Sequence, residues 1–165
     1  MDWTTLAGTA LGALVGVGST LLADRARWRR DLTDRVRQER RDIYVTVLTK
    51  YRLAYEAMHA AAVAGRDETD AARSARETAV REAFRASGCD EARETALLCA
   101  PQELSDLLED VYATLRDLQD VFAAGDPPLG SPGLQERRLK HAEAVWAVRA
   151  AVRRDLDRAV QGRAA

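Results

Sequence analysis

The first segment of the chain is apolar and contains no charged side chain from Trp3 to Ala23. As a helix with a rise of about 1.5 Å per residue, this stretch would reach roughly 31 Å, which matches the hydrocarbon core of a bilayer. The pattern therefore predicts a transmembrane helix over residues 1–23. Two alternatives are a cleaved signal peptide, which would need basic residues ahead of the apolar run, and a buried core helix.

The residues after Ala23 continue a helical pattern with a different composition. Residues 24–42 contain neither Gly nor Pro and are predicted to form a basic juxtamembrane neck, followed by a helical bundle domain over 43–165. Apolar positions recur after four, four and three residues, with Glu39 and Lys50 filling two places, which is close to the period of a straight helix. The positions of this stripe are Trp28, Leu32, Val36, Ile43, Val47, Ala54, Met58 and Ala61.

Further helical segments follow in the bundle domain. The spacing of apolar residues predicts helices over 68–87, 90–99, 101–124 and 134–160. The second of these has an apolar end at Ala96, Leu97 and Leu98, and Gly125 is a natural C-cap for the third, ahead of a loop over 125–133. The stripe of the third is the clearest: Leu104, Leu107, Leu108, Val111, Leu115, Leu118 and Phe122.

These elements predict an all-α fold. The N-terminal transmembrane helix would continue into a long helix that packs with three to four further helices as an antiparallel bundle. The composition agrees, because aromatic residues make up only 5% of the chain and only four prolines occur.

Charge is segregated along the chain, although the formal net charge is only -1. Residues 24–41 carry eight arginines and four acids, residues 67–136 carry sixteen acids and six arginines, and residues 137–165 carry eight basic residues and three acids. The acidic middle can pair with the basic last helix inside the protein. The neck can contact anionic headgroups, and each basic side chain near the membrane surface would add about 1 kcal/mol of binding free energy. We expect internal pairing for the acidic segment and lipid contact for the arginines nearest to the membrane.

The arginines on one side of the apolar segment predict its orientation. By the positive-inside rule, the N-terminus would lie outside the cell membrane and the C-terminal domain in the cytoplasm. Indole and guanidinium groups at the two ends would anchor the helix at the membrane interfaces. These anchors are Trp3, Trp28, Arg25, Arg27, Arg29 and Arg30.

Small residues inside the predicted membrane helix recur every four positions, at Gly8, Gly12 and Gly16. This spacing allows close approach of a second backbone and predicts a homo-oligomer, the alternative being a general bias of the chain toward Gly, Ala and Arg.

The two cysteines, Cys89 and Cys99, are too few for a disulfide framework or a zinc site. We expect them to be reduced thiols that pack as small apolar groups.

Candidate chemistry is sparse. Glu56 and His59 form one Glu-x-x-His pair of the kind that di-iron bundles use, but the other histidine, His141, has Arg138 three residues before it, so the set is incomplete. No glycine-rich phosphate loop or hydrolase motif is present. We therefore expect no enzyme, with no catalytic, cofactor-binding or metal-binding residues. Apart from Trp28, the neck lacks interleaved aromatic residues, and half of its charge is cancelled, which argues against nucleic acid as a partner.

Two stretches carry a resemblance to a known set of proteins. They read LGALVGVGSTLLADRARWRRDLTDRVRQERRDIYVTVLTKYRLAY and LLCAPQELSDLLEDVYATL. The first resembles the start of a set of uncharacterised actinobacterial membrane proteins, which have a Gly/Ala-rich membrane helix and then an arginine-rich helix. The second is similar to a helix start of that set, with Gln102 where an acid is common. The residues of the first match are Trp28, Arg29, Arg30, Arg40, Arg41 and Tyr44. The resemblance implies no reaction.

These observations favour a structural or interaction role. The protein would be a membrane-anchored scaffold that presents a helical bundle at the inner leaflet, where it contacts anionic lipid and a cytosolic protein partner. A pore-forming or membrane-perturbing effector is the first alternative. A helical-bundle enzyme or metal protein is the second.

Overall fold

A computed structural model of the protein describes residues 3–64, 69–125 and 128–161; for residues 3–23, 26, 30 and 159–161 it describes the helical backbone alone. These residues form five helices and no strand, which confirms the all-α class. The helices are α1 (Trp3–Ala64), α2 (Asp70–Ala86), α3 (Cys89–Cys99), α4 (Gln102–Ala124) and α5 (Pro132–Gln161).

The chain divides into two compact units, Met1–Glu39 and Arg40–Ala165. The second unit contains the C-terminal part of α1 and the other four helices. Among the residues whose side chains are described, no helix has the length and apolar character that crossing a bilayer requires. The predicted span over 1–23 lies outside those residues, so this part of the fold prediction has no structural support and stays a proposal.

Helix α4 contributes the largest share of the core of the second unit. Its predicted stripe is confirmed, because every position in it is buried except Leu107, which is partly buried. The helix begins one residue later than predicted, with Pro101 as its N-cap at φ -67°. It ends at Gly125 as predicted, in the left-handed conformation with φ 72°.

The buried face of α1 differs from the predicted stripe. Val47, Ala54 and Met58 are buried as expected, but Tyr44 and Tyr51 are buried as well. The three N-terminal stripe positions Trp28, Leu32 and Val36 are exposed instead. Both tyrosines have polar partners for their hydroxyl groups, which a pattern of apolar spacing does not register. The three exposed positions belong to the first unit, outside the core of the second.

These tyrosine contacts set the direction of α1 against its neighbours. The Tyr44 hydroxyl donates to Asp155 Oδ2 at 3.1 Å late in α5, whereas Tyr55 accepts from Arg138 Nε at 2.6 Å early in α5, so the two helices are antiparallel. The Tyr51 hydroxyl donates to the carbonyl of Leu108 in α4 at 3.3 Å. Burial raises the pKa of Tyr44 and Tyr51, which keeps both phenols protonated as donors.

One acid of the acidic middle, Glu103, pairs with the basic last helix, as expected for this segment. Glu103 at the start of α4 lies 3.3 Å from Arg154 and 3.5 Å from Arg158 near the end of α5, so α4 and α5 are also antiparallel. Arg40 of α1 lies 3.5 Å from Asp155. The Glu103 pairs are more than half exposed, so each stabilises the fold by less than about 1 kcal/mol.

Helices α2 and α3 supply small parts of the core. Helix α2 buries only Val80 and Phe84 among its described residues, as its many alanines suggest. Helix α3 buries Cys89 together with Ala92 and Ala96. The prediction that Leu98 contributes to the apolar end of this helix is wrong, because its side chain is 87% exposed.

The end of α4 is tied to the start of α2 by one arginine. Arg76 donates from Nε to the carbonyl of Ala123 at 3.3 Å and from Nη2 to the carbonyl of Ala124 at 2.8 Å. These carbonyls have no partner within the helix, so the guanidinium satisfies them and offsets the negative end of the helix dipole. A Cβ at Gly125 would lie 2.5 Å from Arg76 Nη2, so a larger residue there would force the guanidinium to shift, and the positive φ of Gly125 also favours glycine.

We predict that Gly125→Ala lowers the free energy of unfolding by about 3 kcal/mol. A left-handed alanine costs about 1–2 kcal/mol, and displacing Arg76 from two carbonyls adds about 1–3 kcal/mol. The measurement is urea unfolding of the full-length chain in a mild detergent, followed by circular dichroism.

Gly130→Ala is the matched control for this variant. Gly130 also has a positive φ, 90°, but a Cβ there would meet nothing within 4 Å. Only the backbone cost of about 1–2 kcal/mol is expected. Equal losses in the two variants would show that the approach of Arg76 contributes nothing.

Candidate functional site

The predicted membrane anchors lie near the N-terminal end of the chain. The structure describes four of their side chains, and three of these are basic. Arg25, Arg27 and Arg29 are exposed, and Trp28 is 66% exposed. The side chains of the remaining anchors and the predicted association positions lie outside the described residues: Trp3, Arg30, Gly8, Gly12 and Gly16. The described anchors are therefore accessible to a charged surface.

The second unit has a concave surface between α2, α3 and α4, which we call the arginine pocket. Its volume is about 360 Å³, and it is lined by Arg81, Phe84, Arg85, Asp90, Arg116, Gln119 and Asp120. Arg116 donates from Nη1 to Gln119 Oε1 at 2.6 Å, and its guanidinium lies 5.2 Å from the centre of the Phe84 ring. This surface therefore combines three guanidinium groups with two carboxylates.

Sequence reasoning did not identify the arginine pocket. The one signal in the sequence is the spacing of Arg81 and Arg85, because residues four apart lie on the same face of a helix. Arg116 comes from a different helix, so only the packing of α2 against α4 brings it to them.

A groove of about 380 Å³ lies between α1 and α3 in the second unit. Ile43 and Ala92 contribute apolar surface, and Asp42, Lys50 and Glu91 contribute charges. A Cβ at Gly88 would lie 3.5 Å from Lys50 Nζ, so the ammonium group is close to the C-terminal end of α2. Gly88 is also the N-cap of α3, so Lys50 lies beside the junction of the two helices.

Both histidines lie beside one tyrosine of α1. The Tyr55 ring stacks on His59, with 6.2 Å between ring centres, and on His141, with 5.8 Å between ring centres. Glu56 takes no part in this cluster, because it is exposed and accepts from Arg52 Nε at 2.7 Å. Among the described residues no group of three or more His, Cys, Asp or Glu side chains could hold a metal ion.

The hydrogen bonds of His141 define its tautomer. Thr114 donates its single hydroxyl hydrogen to the carbonyl of Val111 at 2.8 Å, so the contact of 2.9 Å to His141 Nδ1 has the ring nitrogen as donor. The side chain is buried, and this desolvation lowers the pKa of His141 below its ordinary value. The arrangement favours a neutral imidazole.

The two cysteines differ in their surroundings. Cys89 is buried as predicted, and burial raises the pKa of its thiol. Cys99 is exposed, so the expectation that it packs as a small apolar group is wrong. Its position as the last residue of α3 explains the difference, because the core face of this helix ends at Ala96.

Comparisons with known proteins add no relative. The chain matches no family model, no curated protein and no solved structure.

We predict that the protein loses stability as the pH falls below about 6.5, because of His141. The unfolded chain takes up a proton near the ordinary histidine pKa of about 6.5, whereas the folded chain binds it only at lower pH. The contribution of His141 is therefore complete above pH 6.5 and is lost as the pH falls toward the folded pKa. The measurement is the melting temperature between pH 5 and 8.

The His141→Gln variant isolates this contribution from those of other titrating groups. Its melting temperature is expected to depend less on pH in that range than the wild-type value. If the melting temperatures of the two proteins changed with pH in the same way, the assignment of this pH dependence to His141 would be contradicted.

Proposed function

We propose that the protein is a membrane-anchored interaction module with its helical bundle at the inner leaflet. The uncharged stretch from Trp3 to Ala23 would span the bilayer, and the bundle would present its surface to a cytosolic protein. The observation that supports the anchor is the exposure of Arg25, Arg27 and Arg29 directly after this stretch.

Exposure of these arginines matters because a guanidinium engaged inside the protein could not contact lipid. An anionic leaflet attracts a basic side chain near its surface by about 1 kcal/mol. Trp28 is exposed between these arginines, and indoles are favoured at the same depth of the membrane. The neck therefore offers both kinds of side chain that interfacial anchoring uses.

The chain supplies its own reporter for the proposed topology. Cys99 is exposed and Cys89 is buried, so a membrane-impermeant maleimide should react with Cys99 alone in the folded protein. In cells that produce the full-length chain, we expect labelling only after the membrane is permeabilised, and none in a Cys99→Ser variant. The protein should also remain in the membrane pellet after an alkaline carbonate wash.

Charge reversal in the neck tests the cause of this topology. Replacing Arg25, Arg27 and Arg29 by Glu should increase the fraction of chains labelled in intact cells, because basic residues close to a membrane helix orient it. The matched control replaces by Glu three exposed basic residues that are distant from the segment in the sequence, namely Arg137, Arg149 and Arg153. Full labelling of the wild type in intact cells, or its complete release by carbonate, would contradict the proposal.

Self-association through the predicted membrane helix is the second part of this proposal. Gly12→Leu is expected to reduce the signal of a membrane two-hybrid reporter severalfold, because a leucine would separate two closely packed backbones. Gly18→Leu is the control, since position 18 is outside the four-residue repeat of Gly8, Gly12 and Gly16. Equal signals from the two variants would exclude this interface.

A leakage assay separates this proposal from a pore-forming effector. Liposomes that contain the full-length protein should retain an entrapped dye while the protein is oligomeric. Release of the dye would favour the effector.

A further inference from the structure

The arginine pocket concentrates positive charge in the most acidic part of the chain. Residues 67–136 contain only six arginines against sixteen acids. Three of the six contact partners outside the pocket: Arg73 lies 3.6 Å from Asp70, Arg76 caps α4, and Arg93 lies 2.7 Å from Glu109. The other three, Arg81, Arg85 and Arg116, line one pocket, although like charges repel one another.

Ion pairs and hydrogen bonds within the protein neutralise only part of the positive charge in the arginine pocket. Arg81 lies 2.7 Å from Glu77, but both side chains are largely exposed, so this pair contributes little. The guanidinium of Arg85 has no hydrogen bond or ion pair among the described residues. Arg116 uses one N–H for Gln119 and keeps further donors, because a guanidinium carries five N–H groups. Arg85 and Arg116 therefore have donors available for an anion.

The Arg116 guanidinium is held in place before any ligand arrives. It stacks over the Phe84 ring, which is buried, and Gln119, which is also buried, accepts from it. A guanidinium that is already oriented loses less conformational entropy when it binds an oxyanion, and its planar fork matches the oxygens of phosphate or carboxylate.

Two carboxylates restrict the chemistry of the ligand. Asp90 Oδ1 accepts from the Tyr112 hydroxyl at 2.7 Å, which fixes this side chain at the edge of the pocket. Asp120 lines the pocket from α4. Carboxylates repel a bare polyanion and accept hydrogen bonds from hydroxyl groups, so the ligand needs one anionic group and several hydroxyl donors. The arginine pocket has a volume of about 360 Å³, which lies at the lower end of the range for small-molecule sites, so its ligand would be small.

We propose that the arginine pocket binds the phosphate monoester of a small polyol, with the phosphate at Arg85 and Arg116 and the hydroxyl groups at Asp90 and Asp120. This inference does not depend on the proposed membrane anchor. The same chemistry occurs in a soluble ester such as glycerol 3-phosphate and in the headgroup of a phosphorylated inositol lipid. The experiment distinguishes these two sources.

The test is calorimetric titration of the full-length chain in a mild detergent and a phosphate-free buffer, with glycerol 3-phosphate, inorganic phosphate and glycerol as separate probes. We expect binding of glycerol 3-phosphate and none of glycerol. Flotation with vesicles that contain phosphatidylinositol 4-phosphate, compared with vesicles of phosphatidylcholine alone, tests the lipid source. Binding of either phosphate monoester supports the site and assigns its source.

Variants test whether binding occurs at this pocket. Arg85→Gln should weaken binding at least tenfold, whereas Arg73→Gln, an exposed arginine on the same helix and outside the pocket, should change it less than twofold. Asp120→Asn should weaken the binding of glycerol 3-phosphate relative to that of inorganic phosphate, because only the ester carries alcohol hydroxyl groups that can donate to the Asp120 carboxylate. Circular dichroism of each variant confirms that it is folded.

Three results would overturn the proposal. The first is the absence of binding of every phosphate probe at millimolar concentration. The second is an equal loss in Arg73→Gln and Arg85→Gln, which would indicate general electrostatic attraction. The third is an equal effect of Asp120→Asn on the binding of glycerol 3-phosphate and of inorganic phosphate, which would show that Asp120 does not bind the alcohol hydroxyl groups of the ester.

Discussion

A buried phenol needs a hydrogen-bond partner, and this requirement fixes the position of α1 in the second unit. The hydroxyl groups of Tyr44, Tyr51 and Tyr55 contact Asp155, Leu108 and Arg138, which belong to α4 and α5. An unpaired buried hydroxyl costs about 1–3 kcal/mol, so a shift of α1 that breaks the bonds of the buried Tyr44 and Tyr51 is unfavourable, whereas Tyr55 is only partly buried. Apolar packing alone tolerates such shifts far better, because leucine and alanine have no directional contacts.

The same tyrosines explain how much of the fold could be predicted from the sequence. The stripe of α4 is made of Leu, Val and Phe at helical spacing, and every predicted position is at least partly buried. On α1 two of the buried positions are tyrosines, which an apolar pattern does not count, and Trp28, Leu32 and Val36 suggest a continuation that the structure leaves exposed. Apolar periodicity therefore located the helices and the buried positions Val47, Ala54 and Met58, but it missed Tyr44 and Tyr51, whose hydroxyl groups need hydrogen-bond partners.

The candidate site was harder to predict because it depends on tertiary contacts. The neck arginines follow one another in the sequence, so their shared role could be proposed from position alone. The arginine pocket combines side chains of α2, α3 and α4, and nothing in the local sequence around Arg116 indicates that it meets Arg81 and Arg85. The Tyr55 cluster is similar, because His59 is one helical turn away while His141 arrives from α5.

The arginine that caps α4 has a consequence for how the second unit comes apart. Arg76 belongs to the second turn of α2, yet it satisfies the carbonyls of Ala123 and Ala124 at the far end of α4. When α2 detaches, the final turn of α4 loses its cap and frays with it. The two segments thus form one cooperative element, and hydrogen exchange of their backbone amides should give a common free energy of opening.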